Sequence, residues 1–271
     1  MELRDKVAIV TGGARGIGRA LALALARQGV HVAVADLYTP SQGTAGYALS
    51  TEQEVSNVLG ELTALGVRAL GVPVDVTQWE QVEAMVETVT QQLGPIDLLC
   101  NNAGVIDTGL VVETTEAQWD AIMQVNVKGV FLGCKAVAPG MMARRQGRII
   151  NTASIAGKRG GPRAAAYCAS KFAVIGFTQS FAHEMAPYNV TVNAVCPGIL
   201  GTAMWLDHLI ERRVEPGGGD RQATFAQYAA SQIPLGRPQT PEDIGEAVVY
   251  LARADNVTGI ALNVAGGLVM H

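Results

Sequence analysis

The chain has 271 residues, of which 49% are hydrophobic and 16% charged, and its formal net charge is −4. This composition excludes intrinsic disorder, which requires low hydrophobicity and high net charge, and it lacks the basic excess of a nucleic-acid-binding protein. No apolar run reaches the ~18–20 residues of a membrane span, and the N-terminus lacks the pattern of a signal peptide, so we expect a cytoplasmic protein without a membrane partner.

Short β-branched runs alternate along the chain with longer segments of helical periodicity. Strands are predicted at residues 7–10, 32–35, 69–74, 96–100, 148–152, 191–196 and 260–264, and helices at 17–28, 51–65, 77–93, 115–142, 164–185 and 240–251. Such alternation forms a parallel sheet with helices on both faces, and uniformly apolar strands indicate burial on both sides. We predict an α/β fold, a Rossmann-type doubly wound sheet of about seven strands, in one domain spanning residues 1–271.

Two helix starts carry capping signals. Thr77 is followed three residues later by Glu80, the spacing of a capping box, and Thr240 precedes Pro241 and two acidic residues. These patterns predict N-caps at Thr77 and Thr240.

Two segments interrupt the alternation. Residues 37–50 form a turn-rich insertion after the second strand, and residues 205–232 combine apolar side chains with a flexible PGGG sequence. Loops of this length inside a compact domain are usually functional or mobile. We interpret residues 205–232 as a substrate lid. For residues 37–50, a cover over a bound cofactor and an ordinary surface loop remain open.

The four cysteines and four histidines are scattered along the chain. No CxxC pair occurs, and no spacing matches a zinc site. We therefore predict buried, reduced thiols and no metal site.

A glycine-rich loop, TGGARGIG at residues 11–18, joins the first strand to the first helix. Glycines permit a tight turn and close approach of the backbone, and the helix N-terminus offers free N–H groups to a pyrophosphate. The loop therefore indicates dinucleotide binding, although its spacing differs from GxGxxG. Asp36 ends the second strand, where a carboxylate accepts hydrogen bonds from ribose hydroxyls and repels a 2′-phosphate. Asp36 favours NAD over NADP, whereas Arg15 could reach a 2′-phosphate.

Tyr167 and Lys171 are four residues apart on a predicted helix and project from one face. A phenol has a pKa near 10, which is too high for a base at neutral pH. A neighbouring ammonium favours the phenolate, so the pair suits general acid/base catalysis.

The order and spacing of these motifs closely resemble the classical short-chain dehydrogenase/reductase family over essentially the whole chain. The resemblance rests on residues 11–18, the NNAG sequence at 101–104, Asn126, Ser154, Tyr167 with Lys171, and the PG pair at 197–198. It implies that Tyr167 is the general acid/base, that Lys171 lowers the tyrosine pKa and holds the nicotinamide ribose, and that Ser154 orients the substrate oxygen. Asn126 would kink the long helix at 115–142 and support a water-linked proton relay to Lys171.

The resemblance also implies a set of residues that contact the cofactor. They are Gly12, Arg15, Gly16, Ile17, Gly18, Asp36, Leu37, Asp75, Val76, Asn102, Ala103, Gly104, Tyr167, Lys171, Pro197, Gly198, Leu200 and Thr202.

The implied function is NAD(H)-dependent interconversion of a secondary alcohol and its ketone. One alternative is a 3-oxoacyl-thioester reductase, which should prefer NADPH and is disfavoured by Asp36. A non-catalytic dinucleotide sensor is a further alternative, but such proteins typically lose the Tyr or the Lys. A homotetramer is implied by the family resemblance alone.

The substrate pocket is expected between Val105, Ile106, residues 155–163 and the lid. Trp205, Leu209, Phe225 and Tyr228 of the lid favour an apolar or cyclic alcohol. Lys158, Arg159 and Arg163 would favour a polar or anionic one instead, if they face the pocket rather than solvent.

Overall fold

The computed structural model describes residues 1–38, 50–209 and 220–271, and for residues 207–209 the backbone alone. Most of the predicted insertion at 37–50, the middle of the predicted lid and the side chain of Leu209 therefore lie outside the described residues. The hypothesis that the insertion covers a cofactor falls on the same part of the chain.

Seven parallel strands form one sheet in the order β3-β2-β1-β4-β5-β6-β7. The strands are β1 Val7–Thr11, β2 His31–Asp36, β3 Ala69–Pro73, β4 Leu98–Asn101, β5 Gly147–Thr152, β6 Val190–Pro197 and β7 Ala261–Val264. The predicted doubly wound parallel sheet is confirmed. Strands β1, β4, β5 and β6 are buried along their entire length, because helices cover both faces.

Helices pack against both faces of the sheet. The helices in the described ranges are α1 Gly16–Ala26, α2 Glu52–Ala64, α3 Trp79–Gln92, α4 Glu116–Met123, α5 Gly129–Arg144, α6 Ala165–Met185, α7 Arg221–Gln232 and α8 Pro241–Arg253. Of these, α4 and α7 belong to smaller apolar clusters beside the sheet. One apolar core joins α1, α2 and α8 to the sheet, and a second joins α3, α5 and α6 to its opposite face. Helix α7 lies within the predicted lid, where no helix was expected.

The helix predicted at 115–142 runs without a break from Glu116 to Arg144, but its geometry changes partway along. Residues Gln124–Lys128 form one π-helical turn between α4 and α5. The buried side chain of Asn126 lies in this turn and hydrogen-bonds both the N–H and the carbonyl of Val105. Turns of this kind occur mostly at functional sites.

The prediction of an N-cap at Thr77 is wrong, whereas the one at Thr240 is confirmed. Helix α3 has Gln78 at its N-cap position and no side-chain cap, because the hydroxyl and N–H of Thr77 both donate to the Asp75 carboxylate. Thr240 accepts from the N–H of Asp243, whose carboxylate accepts in return from the N–H of Thr240.

The continuous helical stretch at residues 116–144 has the length and composition of a membrane span, although the sequence suggested none. Half of its most apolar window is buried inside the protein, as in a core helix. The four cysteines are buried and unbridged, as predicted.

Candidate functional site

A cleft of about 1360 Å³ opens at the carboxyl edge of the sheet. It lies where β1 and β4 pair and the chain connections diverge to opposite sides, which is where doubly wound sheets bind ligands. The loops that follow β1, β2, β4, β5 and β6 all contribute to its walls.

The structure brings together at this cleft all but one of the predicted site residues. Those that line it are Gly12, Arg15, Gly16, Ile17, Gly18, Asp36, Leu37, Asp75, Val76, Asn102, Ala103, Gly104, Ser154, Tyr167, Lys171, Pro197, Gly198, Leu200 and Thr202. Asn126 does not line the cleft and lies behind its wall.

The glycine-rich loop has the geometry of a pyrophosphate cradle. Gly12 has a backbone φ of +62°, which residues other than glycine rarely adopt. A Cβ on Gly18 would overlap the carbonyl oxygen of Gly12, so the backbone closes tightly here. Helix α1 begins after Arg15 without any side-chain cap. Its first N–H groups therefore remain available to a phosphate.

The Asp36 carboxylate is buried at the end of β2. Its oxygens accept from the N–H of Ala14 at 2.9 Å and from that of Leu37 at 2.8 Å. Burial raises the pKa of Asp36, while these N–H groups, a hydrogen bond from Ser50 and the charge of Arg15 oppose that rise. The site fits ribose hydroxyls, which can donate to the remaining lone pairs.

Thr11 and Asn102 fix the glycine-rich loop against the end of β4. The Thr11 hydroxyl accepts from the N–H groups of Asn102 and Ala103 at 2.9 and 3.1 Å. The Asn102 amide donates to the carbonyls of Thr11 and Gly12, both at 3.1 Å. Asn102 thus contributes by holding the loop as well as by lining the cleft.

Ser154, Tyr167 and Lys171 converge opposite this loop. The Ser154 hydroxyl accepts from the N–H of Ala156 at 3.1 Å, which fixes it at the start of a short 3-10 turn. Helix α6 carries the other two residues, and the Lys171 Nζ lies 5.6 Å from the centre of the Tyr167 ring. The sequence spacing of four residues therefore does place both on one face of the helix.

Lys171 is almost completely buried, with 4% of its surface exposed. Its Nζ donates to the carbonyl of Thr152 at 2.8 Å, and burial lowers its pKa to about 8. An ammonium has three donors, so two remain for a ligand in the cleft. Gly104 borders this group, since a Cβ there would lie in van der Waals contact with Nζ, at 3.6 Å.

Two positioning residues near the site were missed in the sequence. Gln239 accepts from the N–H of Ile199 at 3.0 Å and holds the turn after β6. Ser170, fully buried, accepts from the Asn126 amide at 3.0 Å and donates to the Tyr167 carbonyl at 2.7 Å. Ser170 could have been suspected as a polar residue within the motif at 167–171, whereas no local signal identifies Gln239.

The substrate end of the cleft is mainly apolar. Val105, Ile106, Trp205 and Tyr228 line it as predicted, and the Trp205 and Tyr228 ring centres are 5.8 Å apart. Phe225 packs against Trp205 from the buried side, at 6.0 Å between ring centres, without lining the cleft.

Of the three basic residues considered for this end, only Arg159 lines the cleft. Lys158 turns away and donates to the carbonyl of Ala261 at 2.8 Å, and Arg163 lies 3.9 Å from Glu113. In the described ranges, no three His, Cys, Asp or Glu side chains come together as a metal site.

The cleft therefore offers a dinucleotide cradle beside a tyrosine, a lysine and a fixed serine hydroxyl. Residues 6–209 match the family model described as short chain dehydrogenase. The chain is 40% identical to a 3-oxoacyl-[acyl-carrier-protein] reductase of Vibrio cholerae over 100% of both chains. It is 35% identical to a galactitol 2-dehydrogenase of Agrobacterium fabrum over 98% of each.

Among solved structures, the carveol dehydrogenase of Mycobacterium avium in complex with NAD superposes with a TM-score of 0.90 at 30% identity, covering 98% of each chain. Whole-length similarity at this level, together with the family match, shows common ancestry as well as a common fold. The chain belongs to the short-chain dehydrogenase family of oxidoreductases.

Proposed function

We propose that this protein interconverts 3-oxoacyl and 3-hydroxyacyl thioesters. The observation that carries the proposal is the 40% identity to the Vibrio cholerae reductase over the full length of both chains, with Ser154, Tyr167 and Lys171 together in one cleft. The sequence alone favours a general secondary-alcohol dehydrogenase and leaves this reaction as the alternative. The similarity to relatives favours the alternative.

The chemistry follows from the side chains of the cleft. A bound nicotinamide supplies or accepts the hydride. In reduction, the Tyr167 hydroxyl donates its proton to the carbonyl oxygen as the hydride adds to carbon, and in oxidation the phenolate removes that proton. The Ser154 hydroxyl donates to the same oxygen and stabilises its developing negative charge. Lys171 stabilises the phenolate by its positive charge and binds the ribose through its free donors.

NAD(H) is the proposed cofactor. The buried Asp36 carboxylate would lie next to a 2′-phosphate, and burial makes such a repulsion strong. The neighbouring Leu37 supplies no positive charge. Among the residues considered for the adenosine end of the cleft, Arg15 is the one that favours NADP. Its positive charge lowers the pKa of Asp36 and so stabilises that carboxylate.

An NAD-linked polyol dehydrogenase is the second candidate. Two observations favour it. A 3-oxoacyl-thioester reductase should prefer NADPH, whereas the Asp36 carboxylate favours NAD(H). The chain is also similar to a galactitol 2-dehydrogenase.

The two candidates are separated by one set of steady-state measurements. The values of kcat/KM would be compared for S-acetoacetyl-N-acetylcysteamine with NADH and NADPH, and for galactitol with NAD⁺ and NADP⁺. We expect kcat/KM for the thioester to exceed that for galactitol at least 100-fold, and NADH to be preferred at least tenfold. A higher kcat/KM for galactitol would establish the second candidate instead.

We further propose that residues 1–271 act as one cytoplasmic domain and assemble as a homotetramer. Phe131 on α5 and Phe172 on α6 support the assembly, because they leave 46% and 48% of their surface exposed on the two long helices. Large exposed apolar side chains are typical of interfaces. Sedimentation equilibrium tests the stoichiometry.

A further inference from the structure

Arg159 is a charged residue at the substrate end of the cleft that the proposed chemistry does not use. The charged residues that line the cleft, within the described part of the chain, are Arg15, Asp36, Glu54, Asp75, Arg159 and Lys171. Four of them border the loops after β1, β2 and β3 or helix α2, on the dinucleotide side. Lys171 is buried beside Tyr167, so Arg159 is the one member of this described set that brings charge to the substrate end.

Arg159 is held close to the reacting groups by its backbone. Its N–H donates to the carbonyl of Ile155 at 3.1 Å, and Ile155 directly follows Ser154. The turn is anchored from outside by Lys158, whose Nζ donates to Ala261 in β7. Arg159 therefore lies about one helical turn from the hydroxyl that is proposed to hold the substrate oxygen.

Arg159 lines the cleft and its side chain is unpaired among the residues that the structure describes. Across the residues that the structure describes, its side chain makes no hydrogen bond or ion pair, whereas the neighbouring Arg163 is paired with Glu113. The adjacent Gly160 and Gly161 also line the cleft, and no atom lies within 4 Å of a Cβ built on either.

We infer that Arg159 binds the carboxylate of a second class of substrate, and that the protein also acts on short 3-oxo and 3-hydroxy acids as free acids. A guanidinium and a carboxylate form two parallel charge-assisted hydrogen bonds, the strongest polar contact available to this side chain. The phosphates of a coenzyme thioester lie at the far end of its pantetheine chain. Arg159, one turn from Ser154, would instead contact substrate groups that are only a few bonds from the reacting carbon.

The inference rests on the proposed function for the chemistry at Tyr167 and Ser154 but not for the thioester. The carboxylate takes no part in bond changes. In reduction, the ketone carbon gains the hydride and its oxygen gains the Tyr167 proton, which gives a 3-hydroxy acid and oxidised cofactor.

The test compares acetoacetate with methyl acetoacetate, which has the same carbonyl and no charge. In the wild type we expect acetoacetate to have the higher kcat/KM. Arg159→Gln should raise KM for acetoacetate at least tenfold, with kcat changed less than threefold, and leave both constants for the ester within twofold. The matched control Arg163→Gln, on the same loop, should leave both substrates within twofold of the wild type.

A second readout does not depend on turnover of the acid. Butyrate should inhibit reduction of the ester competitively in the wild type, and Arg159→Gln should weaken that inhibition at least tenfold. Equal losses for acid and ester in Arg159→Gln, or a wild type that neither reduces acetoacetate nor is inhibited by butyrate, would overturn the inference. Reduction of S-acetoacetyl-N-acetylcysteamine in the same assays reports separately on the proposed function.

Discussion

The Nδ2 of Asn126 lies 3.0 Å from the Oγ of Ser170, and both side chains are completely buried. The Ser170 hydroxyl in turn donates a hydrogen bond to the Tyr167 carbonyl, at 2.7 Å. Because the Asn126 amide also bonds the N–H and carbonyl of Val105, one side chain joins the π-helical turn, the loop after β4 and helix α6. This arrangement is suited to positioning Tyr167, while a proton relay through Asn126 stays a prediction.

We expect Ser170→Ala to lower both stability and turnover. The substitution removes a buried hydroxyl and leaves one donor of Asn126 without this partner, which costs about 1–3 kcal/mol. Urea denaturation measures the free energy of unfolding, and kcat measures the effect on Tyr167. Ser231→Ala is the matched control, because its hydroxyl makes the same contact, to the Tyr228 carbonyl at 2.8 Å, on an exposed face. Equal effects of the two variants would contradict the positioning role.

Tyr167→Phe should abolish turnover and leave cofactor binding nearly intact. The ring keeps its place in the helix, but the proton donor and acceptor is lost, and general acid/base catalysis contributes about 10²–10⁴-fold. Single-turnover rates and quenching of protein fluorescence by NADH measure the two effects. A variant that retained more than a tenth of the wild-type rate would rule out this mechanism.

Most of the fold was predictable, because its signals are local. Each strand is a short apolar run, and the glycine-rich loop and the residues 167–171 carry their function in their spacing. Features set by tertiary contacts were not predictable. The Asp75 carboxylate accepts hydrogen bonds from both the N–H and the hydroxyl of Thr77, and α3 therefore begins later than predicted. Asn126 accepts from the N–H of Val105, 21 residues away, and lies in a π-helical turn.

The residues behind the site show the same limit. Gln239 reaches the N–H of Ile199 across 40 residues, and nothing in its local sequence indicates this contact. The sequence also could not indicate which of the three basic residues at 158–163 lines the cleft. That distinction depends on contacts distant in sequence: Lys158 donates to the carbonyl of Ala261, and the exposed Arg163 lies 3.9 Å from Glu113.

Gly18→Ala should weaken cofactor binding at least tenfold. A Cβ at this position would overlap the Gly12 carbonyl oxygen, so the loop between β1 and α1 would have to open. Gly60→Ala is the control, since Gly60 lies within α2 with no atom near its Cβ position. Alanine there should stabilise the protein by about 0.5–1 kcal/mol. Titration with NADH gives Kd, and an unchanged Kd in Gly18→Ala would contradict the proposed cradle.

Asp36→Ser should reduce the preference for NADH over NADPH at least tenfold. The substitution removes the negative charge that would repel a 2′-phosphate and keeps a short acceptor near the N–H groups of Ala14 and Leu37. The ratio of kcat/KM for the two cofactors is the measurement. Glu54→Gln, a change at an acidic residue that also lines the cleft, should leave this ratio within twofold. Equal effects of both variants would show that overall charge, and not Asp36, sets the preference.

Lys171→Met should stabilise the cofactor-free protein relative to the wild type, most strongly below pH 8. Burial lowers the pKa of Lys171 from 10.5 to about 8, so the folded wild type binds fewer protons than the unfolded chain between these values. The wild type therefore gains stability as the pH rises through this interval. From pH 7 to pH 9.5 the gain is about 2 kcal/mol, at 1.36 kcal/mol per pKa unit.

Urea denaturation of both proteins at pH 7 and pH 9.5 measures this difference. The stability advantage of Lys171→Met should shrink by about 2 kcal/mol over the interval. The lost hydrogen bond to the Thr152 carbonyl affects both pH values alike and cancels. If the stability advantage of Lys171→Met did not change with pH, the Lys171 ammonium would not be desolvated in the folded protein. Burying a charged lysine beside Tyr167 would then not destabilise the wild type.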